Sequence, residues 1–177
     1  MIRLLTFAAL AAATPALAQS TPPAMAPPQP LSQSDQQFLT YAAEDNQAEI
    51  ALCLLAEKRA DSPAVKAFAR LMVDDHVQIE SELAAVADAQ KAKLPEGVGE
   101  DGKKTHDKLD PLDGKEFDAA FMKAQIKDHG NDIKRFAQQV SSTNNKNLRR
   151  YASETGPILS QHLALAMAVQ ASVKPLQ

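Results

Sequence analysis

The sequence predicts an all-α fold, a four-helix bundle made of two helical hairpins joined by a long crossover. Three observations carry this expectation. Four long segments place apolar residues at helical spacing. The connections between those segments run short, long, short. A shift of 83 residues lays the first hairpin on the second, pairing Phe38 with Phe121, Asp45 with Asp128, Ile50 with Ile133, Phe68 with Tyr151 and Ala69 with Ala152.

The first 18 residues stand apart from the domain. Arg3 gives a short positive start, Leu4 to Ala13 is apolar, Pro15 breaks the run, and Ala16-Leu17-Ala18 is a small-x-small cleavage site. That order is expected of a secretory signal peptide cleaved after Ala18. The apolar run is too short for a membrane span, which needs about 20 residues. Residues 19–33, rich in Pro and Ala, are expected to be a flexible tether.

The helices follow in order. The first is expected over about 35–59, with its N-cap near Ser34-Asp35. Asp61-Ser62-Pro63 is a tight turn, with Ser62 as N-cap and Pro63 at the first helical position of the second helix, about 63–93. Leu94 to Asp113 is polar and carries several Gly and two Pro, so it reads as the crossover loop. The third helix, about 114–142, opens on Asp113 to Glu116 at capping-box spacing. Thr143-Asn144-Asn145 is the second tight turn. The fourth helix, about 146–172, contains Pro157, where a kink is expected. Residues 173–177 are a tail. One long connection between two hairpins is the ferritin-like way to build a bundle, because it makes the second and third helices parallel.

Composition excludes several classes. Of 177 residues, 19 are basic and 22 acidic, and losing Arg3 with the signal leaves a net charge of −4. Such a chain has no general electrostatic reason to bind nucleic acid or an anionic membrane. No later segment is apolar enough for a membrane span. Cys53 is the one cysteine, so disulfides do not hold the fold, and its setting in Ile50 to Leu55 predicts burial.

Chemistry points to the histidines. His76 falls in the apolar stripe of Val65, Phe68, Met72, Ile79, Leu83 and Val86. His129 interrupts Met122, Ile126, Ile133 and Phe136, and His162 interrupts Tyr151, Leu159, Ala166 and Val169. At 100° per residue each sits near the centre of an inward face. His106 lies in the crossover instead. The first helix is apolar nearly all round, and Glu49 is its best inward acid. Counted from the turns, Glu49, His76, His129 and His162 lie within one to two helical turns of a common depth, at roughly 1.5 Å per residue. One carboxylate and three imidazoles suit Zn, Fe or Cu.

A single core histidine ordinarily satisfies a helix–helix hydrogen bond, so a structural or interaction protein of the cell envelope, without metal, is the alternative. A degenerate di-iron oxidase is a third reading. It is weaker because the residues three before His76 and His162 are Val73 and Leu159, not Glu. Asp75, Glu80, Asp128 and Asp132 are read as solvated flanks. No nucleophile–His–acid set, phosphate loop or CxxC is visible, so the reading leans away from an enzyme.

Several stretches resemble the secreted bacterial family called domain of unknown function 4142, which is labelled predicted outer membrane protein and classed as ferritin-like. They are Phe38-Leu39, Ala48-Glu49-Ile50, Pro63 to Ala69, Met72-Val-Asp-Asp-His76, Gly114 to Asp118, Asp128-His129 and Gln161 to Ala166. The resemblance covers about Leu31 to Ser172. It implies the ferritin-like bundle, and it implies that Glu49, His76, His129 and His162 occupy positions typical of the family pattern. The combined expectation is an exported, periplasmic helical bundle of unknown partner, with an envelope protein or a second copy as the candidates.

Overall fold

The computed structural model describes residues 24–173. The signal peptide expected over 1–18, residues 19–23 of the tether and the tail from 174 lie outside the described residues. Within them the chain is all-helical: α1 (Gln33–Arg59), α2 (Pro63–Gln90), α3 (Gly99–Leu109), α4 (Gly114–Ser142) and α5 (Lys146–Val173). No described helix is long and apolar enough to cross a membrane.

Local chemistry sets the ends. Ser32, two residues ahead of the expected cap, starts α1 through a reciprocal capping box with Asp35. Ser62 caps α2 ahead of Pro63. Gln90 ends α2 earlier than expected, because Lys91 takes a left-handed φ of 54°. Asp113 occupies the N-cap of α4 without a side-chain cap bond; its carboxylate reaches Arg59 instead, at 3.1 Å. α5 runs unbroken through Gly156 and Pro157.

The long helices pack as a bundle, α1 on α2 and α4 on α5, with α2 against α5 and α1 against α4. At one end Asp118, early in α4, accepts the N–H groups of Asp61 and Ser62, which lead into α2, at 3.2 and 2.9 Å. At the other end Asn145, just past α4, donates to Gln90, the last residue of α2, at 2.8 Å. α2 and α4 therefore run the same way, and the chain between them must travel back along the bundle.

That connection corrects the expectation of a structureless loop, because it carries α3. The helix survives its two internal polar turns through charge placement. Glu100 and Asp101 lie in its first turn and Lys108 in its last, Lys103 pairs with Asp107 at 2.6 Å, and Leu109 is buried. Gly102, which read as a loop residue, is a packing device: a Cβ there would lie 2.5 Å from the Ala48 methyl of α1. The tether is corrected as well. Ala26 exchanges two hydrogen bonds with the Asn147 side chain, both 2.9 Å, and the Gln29 N–H donates to Gln90 at 3.0 Å. Residues 24–31 are held to the bundle by these groups.

The core falls into two apolar clusters. One joins Leu52, Cys53, Phe68, Met72, Phe117, Phe121, Met122 and Ala166. The other joins Phe38, Ile79, Leu83, Phe136, Leu148, Tyr151 and Leu159. On every long helix the stretch between them carries buried polar residues: Asn46 and Glu49, His76, Gln125 and His129, and His162. A polar layer thus crosses the middle of the bundle.

Candidate metal centre

Each imidazole reaches this layer because its helix buries that stripe. His76, His129 and His162 come from α2, α4 and α5, and all three are buried. Their ring centroids are 5.9 Å (His76–His129), 5.4 Å (His76–His162) and 5.5 Å (His129–His162) apart. One nitrogen from each ring lies within 4.8 Å of the other two. Three nitrogens bonded at about 2 Å to one ion in their plane would be roughly 3.5 Å apart, so closing from 4.8 Å moves each by roughly 0.8 Å.

The second nitrogen of each ring is held from outside. His76 Nδ1 lies 2.8 Å from Asn46 Oδ1, while Asn46 Nδ2 donates to the His76 carbonyl at 3.0 Å. His129 Nδ1 lies 3.0 Å from the Gln125 carbonyl. His162 Nε2 lies 2.9 Å from Asp75 Oδ2. Carbonyls and carboxylates only accept, so each of these ring nitrogens carries the proton. The opposite nitrogens, His76 Nε2, His129 Nε2 and His162 Nδ1, are all buried without a hydrogen-bond partner. Burial, reinforced by the neighbouring imidazoles, pushes His76 well below its ordinary pKa and His129 down to about 4. Both are neutral at pH 7, as a ligand must be.

Glu49 is buried but does not join them. Its Oε2 accepts from Gln125 Nε2 at 2.7 Å, so it faces the α1–α4 seam. There it belongs to an acidic group. Tyr41 donates to Asp132, Arg135 lies 4.0 Å over the Tyr41 ring, and Asp45 and Asp128 lie close enough to raise the pKa of their neighbours. Burial, then the charge of Asp45, pushes Glu49 well up, and burial pushes Asp132 up to about 7. The reading of Asp132 as a solvated flank is thus corrected: it is 1% exposed. Asp75, also read as a flank, is the hydrogen-bond partner of His162. Sequence reasoning missed Asn46 and Gln125 altogether; their signal was a polar residue interrupting an apolar helix face. His106 lies on α3, away from the layer.

The arrangement defines a helical bundle with a buried tri-imidazole cluster whose outer nitrogens are fixed by hydrogen bonds. The chain belongs to the family described as domain of unknown function (DUF4142), whose model matches residues 20–169. No curated protein and no solved structure gives a significant match. Membership therefore establishes kinship and leaves the chemistry to the residues.

Proposed function

We propose that this chain is an exported, periplasmic metal-binding module: a ferritin-like bundle holding one transition-metal ion, Zn, Fe or Cu, on His76, His129 and His162. The reading is carried by three buried imidazoles, one nitrogen of each within 4.8 Å of the others, and each ring keeping one nitrogen without a hydrogen-bond partner. A buried lone pair without a partner is costly, and three facing one another are costlier; a cation satisfies all of them. The outer partners match what metal-bound histidines ordinarily have, a carbonyl or carboxylate on the second nitrogen. Glu49, tied to Gln125, stands outside the proposed ligand set. The missing Glu at positions 73 and 159 weighs against di-iron oxidation, and a binding role is favoured over catalysis.

The test is metal analysis of protein recovered from the periplasm, with melting followed before and after chelation. One equivalent of metal is expected, with a lower melting temperature after chelation. Replacing His129 by Asn should cut affinity by roughly 100-fold or more, beyond what outer partners contribute. Metal-free protein with a melting temperature indifferent to chelator and to added Zn or Cu would return the histidines to a purely structural role. Intact-mass measurement of the exported protein checks export: Gln19 is expected as first residue, and a retained Met1 would overturn cleavage after Ala18.

A further inference from the structure

We infer that one end of the bundle is a recognition site for an extended, proline-rich segment of a partner protein, and that residues 24–31 occupy this site in cis. The polar layer at mid-bundle plays no part in it.

The occupying segment is stiff by composition. From 26 to 30 it reads Ala-Pro-Pro-Gln-Pro, so every residue is a proline or precedes one. Proline fixes its own φ and pushes the residue before it to extended backbone, which biases the stretch to polyproline II before it docks. That helix has three residues per turn, so Ala26 and Gln29 share a face. These two positions are half-buried, whereas Pro27, Pro28 and Pro30 are exposed. Ala26 and Gln29 also carry the only N–H groups of the stretch.

The bundle end is built to read that face. The Asn147 carboxamide, in the first turn of α5, accepts the Ala26 N–H and donates to the Ala26 carbonyl, both at 2.9 Å. Gln90 Oε1, at the end of α2, accepts the Gln29 N–H at 3.0 Å. Asn145 Nδ2 donates to the Gln29 carbonyl at 3.4 Å, and the Gln29 side chain accepts the Lys146 N–H at 2.8 Å. Gln90, Asn145 and Asn147 are all buried. Four of these five bonds go to main-chain atoms of the segment, so another sequence with the same backbone can make them.

What the segment leaves unfilled points to a second occupant. Met25 lines a cavity of about 320 Å³ between α2 and α5 without filling it, and Val86 and Tyr151 form its apolar wall. A proline-rich peptide with a larger apolar side chain in place of Met25 would keep the backbone bonds and bury more surface. Residues 24–31 can also leave without breaking a helix, because the cap of α1 follows them at Ser32.

The experiment follows fluorescence polarisation of an end-labelled peptide, Ala-Phe-Ala-Pro-Pro-Gln-Pro-Leu, titrated with the whole mature chain, each variant checked for helicity by circular dichroism. Ala26→Pro removes a bonded N–H from the cis segment and leaves the groove intact. It should raise the apparent affinity for the peptide roughly fivefold or more. Adding Asn147→Ala to that variant should then cost roughly tenfold or more, since two bonds to the peptide are lost. Two further peptides test the groove without touching the bundle. Met in place of Phe should weaken binding to the Ala26→Pro chain, and alanines in place of the prolines should weaken it further. Equal binding by wild type and Ala26→Pro, indifference to the prolines, or no binding at all overturns the assignment. So does a concentration-dependent dimer of wild type that binds no peptide, which would give the groove to residues 24–31 of a second copy.

Discussion

Two buried polar groups lie side by side across this bundle, and they reach neutrality from opposite directions. The acids of the α1–α4 seam are pushed up until they hold protons, Asp132 to about 7. His76 and His129 are pushed down until they shed them, His129 to about 4. Desolvation is the largest cause in both. The products differ in what they offer. A neutral carboxyl keeps one donor and one acceptor, and Glu49 and Asp132 each have a named partner in Gln125 and Tyr41. A neutral imidazole whose only N–H is already spent, as on Asn46 for His76 and Gln125 for His129, offers just a lone pair. Burial alone does not suggest a binding site; the proposal rests on clustered rings that each keep a nitrogen without a partner.

The contrast breaks most completely if the helix phases are wrong. Phe136 packs edge-on against Phe38, with centroids 5.1 Å apart, beside the layer that holds both groups. Phe136→Ala should cost about 3–5 kcal/mol in chemical denaturation. A loss below about 0.5 kcal/mol would place this face of α4 in solvent, and His129 and Asp132 with it.

Acidification of metal-free protein comes next. The folded pKa of His129 lies below its unfolded value, so unfolded chain binds more protons as pH falls. Its contribution is intact above about 6.5 and is lost as pH drops towards about 4, roughly 3 kcal/mol in all. Asp132 has the opposite slope. Its folded pKa is raised, so its contribution is present at low pH and is lost as pH rises from about 4 to about 7. Asp132→Asn should therefore steepen the net loss on acidification, and His129→Asn should flatten it. Denaturation curves at pH 4.5 and 7 for the two variants read this directly; equal slopes would erase the distinction between the groups.

A smaller effect separates them by ligand rather than by proton. Asp75→Asn should weaken metal binding about 10–100-fold. It should hardly move the melting temperature of metal-free protein, because the Asp75 side chain is 39% exposed. Asp132→Asn should leave metal affinity as it was. The smallest effect is none: His106→Ala, on α3, should change neither metal affinity nor stability.

Much of this was legible in the residues, for reasons that also explain the failures. The long amphipathic stripes of α2, α4 and α5 set phase well enough that three histidines could be brought to one level. α1 is apolar nearly all round, so its phase was loose. Glu49 was correctly expected to be buried, but one turn of ambiguity separates it from Asn46, which meets His76. Asn46 and Gln125 escaped because amides are not ligands, although they orient the ligands. α3 escaped because Gly102 signals a loop in sequence and a close helix contact against Ala48 in space. The Ser62-Pro63 start was local chemistry and needed no tertiary information.

The layered core also acts as a ruler. Aromatic half-cores lie on both sides of the polar layer, with Phe68, Phe117 and Phe121 on one and Phe38, Phe136 and Tyr151 on the other. Sliding α2, α4 or α5 by a turn, about 5.4 Å, would carry an imidazole towards hydrocarbon and its bonded partners out of register. Misaligned bundles with similar total burial are thereby penalised, and the chain is steered to one alignment. An ion at the centre would pin three of the four helices at the same height, so that thermal fraying from either end would halt there.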